Sequence, residues 1–196
     1  NNKKKVLIAL HMQPEMSTSL LAGDFDDQIR IIEKLYRNNF YEKFSIFVRE
    51  HPAQSSYQRD EMFFKRLKSF KNIYFLNRDF PMDKILDSVD CVVTSSGSVG
   101  WEALNLGKKC LLFGNSWYSK LYGVLQINDK TSDEEISNFL EKDFVKEIFY
   151  TSLQNLYNSF YDGIVLKWWI SIFPEFEDKK NAKKIVKDIK EYIESN

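Results

Sequence analysis

Five short apolar runs alternate with segments of helical periodicity, and this alternation constrains the fold more than any other feature. The runs are residues 6–10, 44–48, 73–76, the stretch around Val92 and Val93, and 109–113. Between them, apolar residues recur at spacings of three and four, as on the buried face of a helix. The pattern predicts an α/β fold, in which a parallel sheet carries helices on both faces and its strands are joined by right-handed crossovers.

Polar loops follow four of the predicted strands at their carboxyl ends. They are residues 11–17, 49–52, 94–98 and 114–118. In a parallel sheet these ends share one edge, and ligands bind there, near the point where the strand order reverses. The sequence therefore predicts a binding site built from these four loops.

A turn rich in serine and glycine separates the fourth apolar run from the helix that follows. Ser95, Ser96 and Ser98 are predicted to cap this helix, while Gly97 and Gly100 let the backbone turn and approach a neighbour closely. The first amide groups and the dipole of such a helix attract anions, phosphate above all. The alternative, weighted equally on this turn alone, is an ordinary βα turn without a ligand.

His51 and Pro52 follow the second apolar run. Proline biases the residue before it towards an extended backbone, and an imidazole can donate to a phosphate oxygen or exchange protons near neutral pH. A lone histidine is more often structural, but Arg49 beside it favours a binding role. Glu102, in the helix after the serine turn, could accept hydrogen bonds from a ribose diol; the alternative is a carboxylate that complements the helix dipole.

Four more polar or aromatic residues lie at predicted strand ends. Gln13 and Glu15 either reach the same crevice or belong to a solvated loop, and the sequence favours neither. Trp117 and Tyr118 either close over a sugar or base or belong to the core, which is the commoner place for aromatic side chains.

Charge balance and cysteine usage restrict the classes of function. Lys and Arg together number 28, as do Asp and Glu, so no basic field suggests a nucleic-acid partner. Cys91 and Cys110 each lie in an apolar run, which is typical of free thiols in a reducing compartment. No apolar run has the length of a membrane span or a signal-peptide core, so a cytoplasmic location is predicted. The sequence carries no Walker, dinucleotide or zinc motif, and no cofactor and no metal are expected.

From residue 131 the sequence reads as helices to its end, starting at Ser132 with a pattern typical of a helix cap. One domain is predicted for residues 1–196, with an α/β core over 1–130 and a helical extension over 131–196. The most apolar run, 164–173, is predicted to pack over the sheet or another domain; a membrane-lying surface is the less favoured alternative. Since the chain does not open with Met, it is expected to be a piece of a longer one.

A set of segments carries a family resemblance when their order and spacing are taken together. They are Gln13-Pro14-Glu15 with Ser17-Thr18, Arg49-Glu50-His51-Pro52, residues 94–104, Gly107-Lys108-Lys109, and Phe113-Gly114 with Trp117-Tyr118. They resemble the capsule polysaccharide biosynthesis proteins, GT-B-type glycosyltransferases that include the Kdo transferases of capsule linker synthesis. The His-Pro and Ser-Ser elements are also similar to GT-B bacterial sialyltransferases. The resemblance runs over about residues 5 to 125.

The resemblance implies a Rossmann-like domain that forms the nucleotide-sugar donor half of a GT-B enzyme. It implies a cytoplasmic glycosyltransferase with a nucleotide sugar as donor and a glycan or glycolipid as acceptor. Relatives with these elements use CMP-activated acid sugars, so CMP-Kdo is the expected donor. The donor-binding residues implied are His51, Pro52, Ser95, Ser96, Gly97, Ser98 and Glu102, with Gln13, Glu15, Arg49 and Tyr118 as further cleft residues.

The chain departs from the family in its length, because a GT-B enzyme has two Rossmann-like domains and 196 residues suffice for one. The acceptor site and the catalytic acid or base are expected on an N-terminal domain of the same parent chain, and the isolated chain is expected to be incomplete for catalysis. Peripheral association with the inner face of the membrane is compatible with this assignment. The alternatives are an enzyme like UDP-N-acetylglucosamine 2-epimerase or a polyol-phosphate polymerase, and a non-catalytic module that assembles a capsule synthesis complex.

Overall fold

A computed structural model describes residues 3–37, 40–55, 57–160 and 177–195. It divides into two compact units, the first ending at Tyr150 and the second beginning at Thr151. The strands are β1 (Lys4–Ala9), β2 (Phe44–Arg49), β3 (Ile73–Leu76), β4 (Cys91–Thr94), β5 (Lys109–Leu112) and β6 (Val124–Gln126). The helices are α1 (Met16–Leu21), α2 (Ile29–Tyr36), α3 (Phe40–Lys43), α4 (Glu61–Ser69), α5 (Met82–Ser88), α6 (Ser98–Asn105), α7 (Asp133–Glu141), α8 (Lys146–Tyr157) and α9 (Asp178–Ser195), with a short 3-10 turn at Gly23–Phe25.

The strands of the described chain form one parallel sheet in the order β3-β2-β1-β4-β5-β6. The order reverses between β1 and β4, where the connections leave the sheet in opposite directions and a crevice opens at the carboxyl ends. Val6 pairs with Cys91 and Ile8 with Val93, so β1 and β4 end side by side. This is the Rossmann-like arrangement, and the predicted fold class is confirmed.

Both faces of the sheet are covered, which explains why the strands read as continuous apolar runs. Val6 and Ile8 of β1 belong to a cluster that includes buried side chains of α2, α4 and α7. Leu7 and Ala9, which alternate with them, belong to a second cluster with α5 and α6. Because successive strand residues face opposite sides, an apolar residue is needed at every position from Val6 to Ala9 of β1, whereas Lys4 and Lys5 begin the strand outside the core.

The predicted strands agree with the observed ones to within a residue or two, whereas β6, α1, α3 and the 3-10 turn at Gly23–Phe25 were not predicted. β6 is only three residues long and half-buried at the edge of the sheet, too short to show a period. α1 begins two residues after Pro14, where the sequence predicted a polar loop before the next helix. Its single turn and a half carries little periodicity of its own.

The region after residue 130 is helical where it is described. The Ser132 hydroxyl accepts a hydrogen bond from the Glu135 amide at 3.1 Å, so the predicted cap is confirmed. Ile136 and Leu140 of α7 lie in the main core cluster, and the first compact unit therefore continues past the predicted core boundary at 130. The apolar run 164–173 lies outside the described residues. None of the helices in the described ranges is long and apolar enough to cross a membrane.

Candidate functional site

A cavity of about 450 Å³ opens where the strand order reverses, at the carboxyl ends of β1, β2 and β4. Eight of the predicted site residues line it: Glu15, Arg49, His51, Pro52, Ser96, Gly97, Ser98 and Glu102. Five further residues complete the lining: Ala9, Leu10, His11, Met82 and Val99. Three loops that are distant in sequence therefore meet in one pocket of the size that small-molecule ligands occupy.

Helix α6 begins at this cavity without a side-chain cap. Its N-cap residue is Gly97, so the predicted serine cap is wrong. Ser98 already belongs to the helix, and its hydroxyl donates to Glu102 Oε1 at 3.1 Å, one turn along. Because the first amides of a helix have no partner inside it, the N–H groups of Ser98 and Val99 are left for solvent or a ligand.

Two predicted residues lie behind the serine turn and do not line the cavity. Ser95 is fully buried at the end of β4, and its Oγ has no hydrogen-bond partner in the described chain. Tyr118 is also fully buried and donates its hydroxyl proton to the Gly97 carbonyl at 2.5 Å. Burial raises the pKa of Tyr118. Tyr118 thus supports the turn from the core side. Of the two interpretations that the sequence left open, the structure favours the core position over contact with a ligand.

The two glycines of the turn are explained by close approach. A Cβ at Gly97 would lie 2.9 Å from Thr94 Oγ1 and 3.0 Å from His11 Nε2. A Cβ at Gly100 would lie 2.4 Å from the Tyr118 hydroxyl. Gly97 has an ordinary negative φ of −74°, so space is what demands glycine here.

His11 fixes the turn from the end of β1, although the sequence analysis did not single it out as a site residue. Its Nε2 lies 2.6 Å from Thr94 Oγ1 and accepts from the Ser96 amide at 3.4 Å. Its Nδ1 lies 3.3 Å from Thr18 Oγ1. Since an amide can only donate, Nε2 is the acceptor and the proton sits on Nδ1, directed at Thr18.

This network decides which amides of the turn remain for a ligand. The Ser96 amide donates to His11, and the Gly97 amide donates to Thr94 Oγ1 at 3.3 Å. Both therefore point inward. An anion in the cavity is left with the first amides of α6, those of Ser98 and Val99.

Burial keeps the His11 imidazole neutral. Its pKa is lowered from 6.5 to about 4, chiefly by desolvation; His51 and Arg59 lower it further and Glu15 opposes them. A neutral ring is also what the network requires, because a protonated Nε2 could no longer accept from Ser96 and Thr94. His11 follows the first apolar run as His51 follows the second, and that position was the available signal.

Stability is expected to depend on pH through His11. The unfolded chain takes up a proton near pH 6.5, whereas the folded chain resists it down to about pH 4. The stabilising contribution is thus complete above pH 6.5 and is lost as the pH falls to 4, by roughly 3 kcal/mol. Denaturant unfolding from pH 7 to 4 should show a shallower loss for His11→Gln than for the wild type. His51→Gln is the matched control and should keep most of the wild-type slope, because burial is the main cause of the shift at His11 and His51 adds a smaller effect. Equal slopes for His11→Gln and wild type would contradict this role.

His51 is oriented by its own loop. The Ala53 amide donates to His51 Nδ1 at 3.2 Å, and the His51 amide donates to Glu50 Oε1 at 2.8 Å. Because Nδ1 is the acceptor, the ring proton lies on Nε2. Nε2 has no hydrogen-bond partner within the described chain. Because His51 lines the cavity, its Nε2–H group is available there as a donor.

Gln13 lies beside a neighbouring hollow and not in the cavity. The backbone amide of Gln13 donates to Gln54 Oε1 at 2.6 Å, and its side-chain Oε1 accepts from Arg59 Nη1 at 2.5 Å. These bonds tie the loop after β1 to the loop after β2. Gln13 therefore holds the shape of the site from outside.

Arg59 joins the loops after β1 and β2, and the sequence did not predict it as a site residue. Its side chain forms a forked ion pair with Glu50 at 2.5 and 2.9 Å, and Nη2 donates to the His11 carbonyl at 2.6 Å. The Arg59 side chain is 1% exposed. One guanidinium thus holds the residues that precede His51 and the carbonyl of His11. In the sequence it is one of 28 basic residues, and nothing distinguishes it.

Several solved structures share this fold. The UDP-GlcNAc 2-epimerase of Methanocaldococcus jannaschii is 18% identical with a TM-score of 0.55, over 79% of this chain and 45% of that one. KpsC of Thermosulfurimonas dismutans, a beta Kdo 2,7 transferase, is 16% identical with a TM-score of 0.51, over 67% of this chain and 41% of that one. The chain thus spans less than half the length of either structure. No functionally curated protein matches the sequence.

The sequence itself matches a family model over residues 1–159, which is most of the chain and includes every residue that lines the cavity. The model describes capsule polysaccharide biosynthesis proteins. The fold, one Rossmann-like half of a GT-B architecture, agrees with that match. The chain belongs to the capsule polysaccharide biosynthesis protein family.

Proposed function

We propose that this chain is the donor-binding domain of a capsule glycosyltransferase and that its cavity binds a CMP-activated acid sugar, CMP-Kdo in the first place. The observation that carries the proposal is the meeting of three groups in one cavity: the first amides of α6, the donor on His51, and the carboxylate of Glu102. Two of these suit a phosphate and the third suits a ribose.

The phosphate would lie at the start of α6. The amides of Ser98 and Val99 and the positive end of the helix dipole favour an anion there. The proton on His51 Nε2 adds a donor from the neighbouring loop. Since the His51 ring already accepts from the Ala53 amide, little side-chain entropy is lost when it binds.

The ribose would lie against Glu102, one turn into α6. Glu102 Oε1 accepts from Ser98 Oγ, and Oε2 has no partner within the described chain. A carboxylate oxygen accepts hydrogen bonds from vicinal hydroxyls and cannot donate, so it selects a diol. The helix would therefore hold phosphate and ribose one turn apart.

This domain would promote sugar transfer by stabilising the leaving group. As the acceptor hydroxyl attacks the anomeric carbon, the bond from that carbon to the phosphate oxygen breaks and CMP leaves with the bonding electrons. His51 and the α6 amides would stabilise the charge that develops on the phosphate. The acceptor and the base that takes its proton are assigned to another part of the parent protein, and no metal is assigned a role.

Calorimetric titration with nucleotides tests the proposal. The chain is expected to bind CMP more tightly than UMP, and CDP more tightly than UDP. Glu102→Gln should weaken CMP binding about tenfold, the effect of losing charge-assisted hydrogen bonds, and should leave the affinity for 2′,3′-dideoxy-CMP unchanged. The dideoxy ligand thereby serves as the control for misfolding. A clear preference for UDP would favour a UDP-sugar enzyme instead, and no binding of any nucleotide would favour a non-catalytic assembly module.

A further inference from the structure

Arg49 places a buried positive charge in the cavity wall at the end of β2. The residue is 7% exposed. Its Nη2 donates to two backbone carbonyls, those of Arg78 at 2.8 Å and Phe80 at 3.1 Å. Its Nε is buried and has no hydrogen-bond partner. Buried guanidinium groups normally meet a carboxylate or phosphate, so this arrangement is incomplete.

The carboxylates nearest in the chain do not neutralise Arg49. Glu50 is engaged by the forked ion pair with Arg59. Asp79 raises the pKa of Arg49 through its charge, but burial has the larger effect and lowers it, and Asp79 forms its own ion pair with Arg78 at 3.8 Å. No carboxylate of the described chain lies within ion-pairing distance of Arg49. A guanidinium remains protonated all the same, so its charge persists inside the wall.

The sheet order separates Arg49 from the start of α6 and from Glu102, the groups proposed to hold the phosphate and the ribose on the β4 side of the cavity; His51 reaches the same phosphate from the β2 side. Arg49 ends β2, whereas Ser98 and Glu102 follow β4, and β1 lies between these strands. Neighbouring strands are about 4.8 Å apart, so the two sides of the cavity are separated by roughly 10 Å. The two carboxylates of the lining, Glu15 and Glu102, follow β1 and β4. The β2 side of the cavity is therefore the side with unbalanced positive charge.

We propose that Arg49 forms a second anion subsite in this cavity, which takes a second anionic group of the bound nucleotide ligand. This inference rests on the proposed function and assigns a residue of the cavity to a second anionic group of its ligand. The group is either the carboxylate of an acid sugar or a second phosphate. The Arg78 and Phe80 carbonyls hold Nη2 of Arg49 in place, so the guanidinium is oriented before the ligand arrives.

Binding of three ligands to three proteins tests the subsite. CMP carries one anionic group, CDP adds a phosphate, and CMP-N-acetylneuraminate adds a carboxylate. The wild type is expected to bind at least one of the two larger ligands about tenfold or more tightly than CMP, the effect of charge-assisted hydrogen bonds to one anion. Arg49→Gln should abolish that gain and leave the CMP affinity within about threefold of the wild type. Lys84→Gln removes a positive charge from an exposed position outside the cavity and should keep the gain.

The outcomes separate the alternatives. A gain for CMP-N-acetylneuraminate assigns the subsite to a sugar carboxylate, and a gain for CDP assigns it to a second phosphate. Equal loss of affinity for all three ligands in Arg49→Gln would show that Arg49 only holds the loop after β3, and this would overturn the inference. CMP binding without any gain from a second anionic group would overturn it too while leaving the proposed function intact. Failure of every ligand to bind would contradict the proposed function and this subsite together.

Arg49→Lys keeps the inference testable if Arg49→Gln does not fold. Lysine retains the charge without the fork and should retain part of the gain, with a steeper loss as salt is raised. A Lys variant that folds and shows no dependence on the second anionic group would count against the subsite.

Discussion

Replacing His51 by Asn is expected to weaken CMP binding by about 10- to 100-fold, with the melting temperature almost unchanged. Asn Oδ1 occupies the place of Nδ1 and can still accept from the Ala53 amide, a bond of 3.2 Å in the wild type. What the variant lacks is the donor at Nε2, which the proposed function places against a phosphate. Hydrogen bonds to a charged group contribute about 1.5–3 kcal/mol, which gives the expected range.

His51→Gln is the matched variant for this prediction. A glutamine side chain is longer and sets its NH₂ group near the position of Nε2, so it should recover part of the affinity while it loses the bond to Ala53. Calorimetry with CMP and thermal unfolding of both variants give the measurement. If the Asn variant binds as the wild type does, His51 does not contact the phosphate. If both variants lose stability and affinity together, the role of His51 lies in the loop and not in the ligand.

The fold was predictable because burial leaves a signal at consecutive residues of the central parallel strands. Residues 6–9 of β1 and all of β4 are buried, and burial on both faces of the sheet produces continuous apolar runs that stand out from their surroundings. β6 is half-buried and three residues long, so neither its length nor its pattern carried the same signal. The limit of the prediction therefore follows from burial and element length.

The location of the cavity was also predictable, because parallel strand order brings polar loops to one edge. The details of individual side chains were not. Ser95 and Ser96 are adjacent and chemically identical in the sequence, yet Ser95 is fully buried and Ser96 lines the cavity. The prediction that serine caps α6 failed because the backbone makes Gly97 the cap residue, and a close approach to His11 demands glycine there. Such contacts join residues about 85 positions apart, and local sequence carries no record of them.

Arg59 is another residue whose contacts local sequence does not reveal, and its replacement is the second change with a large expected effect. Arg59→Met is expected to lower the free energy of unfolding by about 3–5 kcal/mol, because it leaves a partly buried carboxylate without its partner. The Glu50 side chain is 21% exposed, and the carbonyl of His11 and the Oε1 of Gln13 lose donors at the same time. For a protein of this size the melting temperature should fall by roughly 10 °C.

A double-mutant cycle separates the ion pair from the other bonds of Arg59. Glu50→Gln removes the charge that Arg59→Met strands, so the double variant should be more stable than the sum of the single losses implies. Arg59→Lys keeps the charge but cannot span Glu50, Gln13 and His11 with one ammonium group, and should lose more than half of the same stability. Both loops that Arg59 joins line the cavity, so CMP affinity of Arg59→Met should fall even at temperatures where the variant is folded. A stability within about 1 kcal/mol of the wild type would show that the loops hold their shape without this guanidinium, and the site would then depend on the His11 network alone.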